Sequence, residues 1–185
     1  MLDLAAHQFS GGKVRFDANG AWARQGQPDE DLIQSWLQEP YFQQAPPKST
    51  GRELFGRLNL AQRLAAMQTR DQGANPQPNP ANALATLTAF SAAVIGQDLA
   101  KGPPVQELLV AGGGCRNGLL MEELQRRCRG TRVRPLAELG IGDSDREALA
   151  FALLAWRHAL GHPGNLPSVT GASRPTVLGV CVNPA

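Results

Sequence analysis

Three consecutive glycines, Gly112, Gly113 and Gly114, constrain the fold of this chain more than any other feature of its sequence. They follow a short apolar run at residues 108–111, which is typical of a strand buried on both faces of a sheet. Residues 119–128 then carry apolar side chains at helical spacing. A strand, a turn without side chains and a helix N-terminus together let a ligand approach the backbone. Peptide N–H groups and the helix dipole there favour phosphate or a ribose oxygen.

The glycine turn also has a simpler interpretation. Its spacing matches neither G-x-G-x-x-G nor G-x-x-x-x-G-K-[ST], so the sequence contains neither a Rossmann fingerprint nor a P-loop at this place. This disfavours a Rossmann-type dehydrogenase. Close packing of the strand and the helix could by itself explain the glycines. The local pattern supports ligand binding and close packing equally.

Length and composition favour a soluble globular protein of the cytoplasm. A chain of 185 residues with 42% hydrophobic residues can enclose a sizeable core. A net charge of +2, dispersed basic residues and sparse aromatic residues argue against a nucleic-acid partner. Three cysteines without C-x-x-C spacing favour reduced thiols over disulfides or a zinc site. The first residues lack the basic region of a secretory signal.

Helical patterns dominate the first part of the chain. Residues 1–71 are predicted to be a helical segment, with a turn at residues 16–20 (FDANG) and a helix after Pro28. Lys48, Ser49 and Thr50 have two interpretations, an anion or sugar contact and a capped helix start, of which the second is slightly favoured.

Residues 72–80 are predicted to form a proline-rich loop, and residues 81–185 a core of strands, glycine turn and helices. Asn79 followed by Pro80 predicts a helix start. The resulting helix, to about residue 100, is better interpreted as a buried core helix than as a membrane span. Its predicted inward residues are Leu84, Leu87, Val94, Ile95 and Leu99.

A second strand at residues 131–135 gives β-α-β order and therefore predicts a parallel pair. A helix follows at residues 144–160, and a short strand at residues 176–182 ends the pattern. The helix is predicted to face the core with Leu149, Ala152, Leu153, Trp156 and Leu160.

Glu147 is the one carboxylate with two competing roles. It lies three residues after Ser144, the spacing of a capping box, which the pattern favours. The alternative is a carboxylate that accepts hydrogen bonds from ligand hydroxyl groups beside the glycine turn. The three histidines are scattered and have no partner at the spacing of a metal site or a catalytic triad.

Six segments, in order along the chain, resemble the C-terminal half of the anhydro-N-acetylmuramic acid kinase family, a bacterial branch of the sugar kinase, Hsp70 and actin superfamily. Together they cover nearly the whole sequence. The segments are FDANGAWARQGQ (16–27), PYFQQAPPKSTGRELF (40–55), ATLTAFSA (85–92), VAGGGCRNGLLM (110–121), DREALAFALLA (145–155) and NLPSVTGASRPTVLG (165–179).

The resemblance implies an α/β fold: most of one lobe of an actin-like, ribonuclease H-like ATPase, rich in helix with a few mainly parallel strands. Residues 1–185 would be a single incomplete domain. The implied reaction uses ATP and Mg²⁺ to open the 1,6-anhydro ring of anhydro-N-acetylmuramic acid hydrolytically and to phosphorylate O6. The product, N-acetylmuramic acid 6-phosphate, belongs to the recycling of cell-wall sugars in the cytoplasm.

The same resemblance implies roles for individual residues. Gly112, Gly113 and Gly114 match the family's glycine turn and, with Asn117, would contact the nucleotide. Glu147 matches a glutamate implied to contact the sugar, which raises the weight of its ligand role. No residue is implied to bind a metal directly.

The family's phosphate loop, a Gly-Thr-Ser-x-Asp-Gly-like run, does not occur in this sequence. Its catalytic aspartate is expected upstream of Met1, and neither Asp3 nor Asp17 takes its place. We therefore expect no kinase activity from this chain alone. The expected partner is the family's N-terminal half, which would also supply strands beside residues 108–111; a homodimer is left open. The alternative function is a non-catalytic remnant that binds a nucleotide or a partner.

Overall fold

The computed structural model describes residues 1–71, 77–142 and 145–182. These residues form eight α-helices and two strands, which confirms the predicted helix-rich α/β class. The elements are α1 (Leu2–Phe9), α2 (Glu30–Leu37), α3 (Pro40–Gln43), α4 (Arg57–Asp71), α5 (Pro80–Ala100), β1 (Glu107–Val110), α6 (Gly118–Arg127), β2 (Arg132–Pro135), α7 (Asp145–Ala159) and α8 (Pro167–Thr170).

The chain divides into two compact units. The first unit comprises Met1–Gln43 and Thr50–Pro135, and the second comprises Gln44–Ser49 and Leu136–Ala185. Both hydrophobic core clusters belong to the first unit. That residues 1–185 form a single incomplete domain stays a prediction. Most of the predicted proline-rich loop, residues 72–80, lies outside the described residues.

Helix α5 is the centre of the first unit. It begins where the sequence predicts, because the Asn79 side chain accepts hydrogen bonds from the backbone N–H groups of Ala81 and Asn82 at 2.9 and 3.2 Å, and Pro80 needs no donor there. Its buried residues lie between Ala83 and Ala93, and the helix packs against α1, α2 and α6. It alone among the described helices is long and apolar enough to cross a membrane, but 61% of its most apolar window is buried within this protein. It is therefore the buried core helix that the sequence predicts.

The later turns of α5 differ from the prediction. Ile95 is 39% exposed instead of facing inward, and Val94 and Leu99 are half-buried. The cluster that packs at this level is small, with Ala92, Leu124 and Cys128 as its buried members, so it covers only part of the helix circumference.

The two strands form the predicted parallel pair, with Glu107 opposite Arg132 and Val110 opposite Pro135. Helix α6 packs its buried residues on one face of this pair. The prediction that β1 is buried on both faces is wrong, because Leu109 on the opposite face is 36% exposed. Among the described residues no strand other than β2 pairs with β1.

Two arginines tie α6 to the start of α2. Arg127 donates to Glu30 at 2.7 Å and to Glu123 at 2.9 Å, and Arg126 reaches the same two carboxylates at 3.0 and 2.7 Å. Burial acts to raise the pKa of Glu30, but the hydrogen bonds and charges of Arg127 and Arg126 outweigh it and hold that pKa below its ordinary value. These ion pairs join the last turns of α6 to the first turn of α2.

Two further predictions are wrong. The helix expected to start at Ser49 or Thr50 begins at Arg57, so capping does not explain Lys48, Ser49 and Thr50. Residues 176–182 form no strand, because no described segment pairs with them.

Helix α7 of the second unit also departs from expectation. The side chains predicted to face a core are all exposed, and no other described residue of this unit is buried. They are Leu149, Ala152, Leu153, Trp156 and Leu160.

Candidate functional site

The glycine turn joins β1 to α6 in the first unit. Gly112 has φ +82°, a conformation that side chains strongly disfavour, and a 3-10 turn at Gly113–Arg116 follows it. Helix α6 begins only at Gly118. The helix predicted from the apolar spacing of residues 119–128 is therefore present, and one 3-10 turn lies between Gly112 and its start.

The space in front of the turn is open. A Cβ atom added at Gly112 or Gly113 would meet no heavy atom within 4 Å, and one at Gly114 would lie 3.5 Å from Leu120 Cδ2. At Gly26, by contrast, a Cβ atom would overlap the backbone carbonyl of Ala81. Close packing therefore explains Gly26, but it does not explain Gly113.

The N-terminus of α6 is already capped by side chains. Asn117 Oδ1 accepts a hydrogen bond from the backbone N–H of Leu120 at 3.1 Å, and Asn19 Oδ1 accepts one from Gly118 at 3.0 Å. These two N–H groups are not available to an anion. The expectation that phosphate or a ribose oxygen binds near the start of α6 stays a prediction, in which the ligand would also meet the backbone of the 3-10 turn.

The turn at residues 16–20 packs closely against the start of α6. Gly20 has φ +67°, and a Cβ atom there would lie 2.6 Å from Asn117 Oδ1. A Cβ atom at Gly118 would lie 2.5 Å from Asn19 Oδ1. The Asp17 carboxylate accepts hydrogen bonds from the backbone N–H groups of Trp22 and Ala23, both at 2.9 Å. The Asp17 side chain thus stabilises this turn.

A cavity of about 660 Å³ opens between these segments, within the size range of small-molecule sites. It is lined by the predicted Gly113, Gly114 and Asn117. The sequence analysis did not foresee that further polar side chains, far apart in sequence, reach the same cavity. They are Asp3, Asp17, Asn19, Ser91 and Arg116.

The exposed Gly113 presents backbone without a side chain to the cavity. The cavity also combines amide, hydroxyl and guanidinium groups, which can bind phosphate and ribose oxygens, with the carboxyl groups of Asp3 and Asp17. Among the described residues no group of three or more His, Cys, Asp or Glu side chains could hold a metal ion. We therefore assign no residue to Mg²⁺.

Glu147 belongs to the second unit, in the first turn of α7. Its side chain is 80% exposed, with Arg146 Nη2 at 3.7 Å. Ser144, its expected capping partner, lies outside the described residues. Both roles of Glu147 therefore stay predictions.

The capping role of Asn117 can be measured. Replacing Asn117 with alanine should lower the free energy of unfolding by about 1 kcal/mol, because the N–H of Leu120 loses its acceptor. Urea unfolding followed by circular dichroism measures this change. Asn117→Asp keeps the acceptor and should be close to wild type. An alanine variant as stable as the wild type would show that the cap contributes nothing.

Comparisons with known proteins agree with the resemblance seen in the sequence. The family profile described as anhydro-N-acetylmuramic acid kinase matches residues 1–184. Curated proteins of that name are 54% identical in Synechococcus sp. strain WH7803, 53% in Parasynechococcus marenigrum strain WH8102 and 52% in Prochlorococcus marinus strain MIT 9303. Each match covers 100% of this chain but only 47–48% of the relative. The chain thus spans about half the length of these relatives.

Proposed function

Because this chain belongs to the anhydro-N-acetylmuramic acid kinase family, we propose that it supplies the C-terminal half of an ATP-dependent kinase acting on that sugar. The match over residues 1–184 carries the proposal. The open cavity beside Gly113 and Gly114 supports it, since it offers a place for the nucleotide.

The reaction proposed for the whole protein combines a ring-opening hydrolysis with a phosphoryl transfer. A water molecule attacks the anomeric carbon, its proton passes to a carboxylate base, and the bond from that carbon to O6 breaks. O6 then forms a bond to the γ-phosphorus of ATP, and ADP leaves. The products are N-acetylmuramic acid 6-phosphate and ADP, as expected for a cytoplasmic step of peptidoglycan recycling. The base and the phosphate loop would come from the part of the family protein that this chain does not span.

In this proposal the residues of this chain bind the nucleotide and the sugar and orient them. Gly112 sets the turn, and Gly113 and Gly114 let the nucleotide approach the backbone closely. Asn117 lines the cavity, and its Oδ1 caps α6. Glu147 is proposed to accept hydrogen bonds from sugar hydroxyl groups. Bound ATP supplies the phosphoryl group, and Mg²⁺ reduces the charge repulsion between its phosphates.

A chimera tests the proposal. In it, the part of the Synechococcus WH7803 relative that this chain does not match is fused in front of Met1. Mass spectrometry then follows ATP-dependent formation of the sugar 6-phosphate. We expect product from the chimera and none from the isolated chain, with the complete relative as the positive control.

Two results would contradict the proposal. A chimera with the helical circular dichroism of the complete relative but without product would show that this chain is a non-catalytic remnant. Turnover by the isolated chain would show that the other half is not needed for chemistry.

A further inference from the structure

The side chain of Asn19 joins the turn at residues 16–20 to the start of α6. Its Oδ1 accepts a hydrogen bond from the backbone N–H of Gly118 at 3.0 Å, 99 residues away along the chain. Apart from glycines, Asn19 alone among the described residues has a positive φ, at +57°. Asparagine tolerates this left-handed conformation better than most residues do. The backbone conformation and the side-chain contact therefore both account for an asparagine at this position.

A second contact from the same segment reaches the next turn of α6. Arg24 Nη1 and Nη2 donate to the two carboxylate oxygens of Glu122, both at 2.7 Å. The side chains of this ion pair are 38% and 61% exposed, so it stabilises the contact only weakly. Arg24 also lies beside Gly118, where an added Cβ atom would be 3.1 Å from its Nη2. The hydrogen bond of Asn19 is therefore the main polar link to the first turn of α6.

The start of α6 is connected directly to the glycine turn. Asn117, the residue before Gly118, donates its backbone N–H to the backbone oxygen of Gly114 at 3.1 Å. Asn19, Gly114 and Asn117 all line the cavity described above. A displacement of Gly118 would therefore move Asn117 through the peptide bond between them. It would also move Gly114 through the hydrogen bond.

From these contacts we infer that Asn19 is a positioning residue for nucleotide binding. Its side-chain carbonyl fixes the start of α6 where Asn117 and Gly114 border the cavity. The inference rests on the proposed function, which takes a nucleotide as the ligand of this cavity. The fold does not depend on this hydrogen bond alone, because Asn117 still caps the N–H of Leu120 without it. Loss of the Asn19 side chain should therefore affect affinity more than folding.

Asn19→Gly in the chimera tests the inference. Glycine also adopts a positive φ, so this change removes the acceptor without adding backbone strain. We expect the dissociation constant for ATP with Mg²⁺, measured by isothermal titration, to rise about tenfold, because small displacements of positioned groups weaken their contacts strongly. Thermal unfolding of the same variant should show a loss of only a few degrees.

The matched control is Asn79→Ala, which removes a helix cap of similar strength at the start of α5. It should lower the unfolding temperature by a similar amount. Because Asn79 does not line the cavity beside the glycine turn, the dissociation constant for ATP should change less than about threefold.

Gly118→Ala tests the contact itself. Gly118 has no positive φ, but an added Cβ atom would lie 2.5 Å from Asn19 Oδ1. The variant should therefore weaken ATP binding in the wild-type chimera. Asn19→Gly removes the atom in the way, so in that background Gly118→Ala should weaken binding by a smaller factor. Independent residues would give effects that multiply.

Four results would overturn the inference. The Asn19→Gly chimera could bind ATP as tightly as the wild type, or Asn79→Ala could weaken binding as much as Asn19→Gly does. The effects of Asn19→Gly and Gly118→Ala could multiply. A wild-type chimera that binds no ATP would overturn the proposed nucleotide site as well. Failure of the kinase proposal alone is distinguishable: ATP would bind in a way that depends on Asn19, but no sugar 6-phosphate would form.

Discussion

Replacing Glu39 with alanine is expected to lower the free energy of unfolding by about 3 kcal/mol, because the change leaves a buried cation without its counter-charge. The Arg63 side chain is only 2% exposed, and its Nη1 and Nη2 atoms donate to the two oxygens of Glu39 at 3.0 and 2.8 Å. Its guanidinium carbon lies 4.6 Å from the ring centroid of Trp36 and 4.4 Å from that of Phe90. The aromatic faces attract the cation, but they cannot replace a carboxylate.

The size of the effect follows from how far water reaches the pair. Glu39 is 39% exposed, so part of its charge is solvated, and we expect a loss at the lower end of the range for buried pairs. Urea unfolding at neutral pH measures it. Glu39→Gln keeps an acceptor and should lose less. Arg63→Met, which removes the charge itself, should also lose less than Glu39→Ala. A Glu39→Ala variant within about 0.5 kcal/mol of wild type would contradict this account of the core.

Replacing Gly113 with valine is expected to weaken binding of ATP to the chimera by about 100-fold or more while leaving the stability nearly unchanged. Gly113 has no positive φ, and a Cβ atom there meets nothing within 4 Å, so the fold can accept the side chain. Gly113 lines the cavity, so the added methyl groups would occupy space proposed for the nucleotide. Isothermal titration with ATP and Mg²⁺ measures the affinity, and thermal unfolding measures the stability.

The neighbouring Gly112, which sets the turn, is expected to respond differently, with a large effect on folding. Its φ of +82° and ψ of −172° are a conformation that essentially only glycine adopts, so Gly112→Ala should lower the free energy of unfolding by about 1–3 kcal/mol through backbone strain. The two neighbouring variants thus separate an effect on binding from an effect on folding. A Gly113→Val chimera that binds ATP as tightly as the wild-type chimera would remove the glycine turn from the site.

Local chemistry made parts of the fold predictable. The start of α5 follows from Asn79 and Pro80, whose capping geometry needs no distant partner. The parallel pairing of β1 and β2 follows from their order around a helix. The family followed from long segments in order, which no single motif would have established.

The remaining features depend on distant contacts. Asn19 and Gly118 are 99 residues apart, and no local pattern indicates that the Asn19 side chain caps α6. The apolar periodicity of α7 predicts that one face of the helix is buried, but it does not identify the structure that buries it. The same applies to Leu109, since a single strand pattern does not reveal how many layers enclose the sheet.

Backbone hydrogen–deuterium exchange of the chimera, with and without a non-hydrolysable ATP analogue, tests the central claim most directly. The claim is that the nucleotide lies against the backbone of the glycine turn. It predicts slower exchange at the amides of residues 112–116 when the analogue is bound. Protection confined to other segments, with the amides of this turn exchanging as fast as in the free chimera, would contradict it.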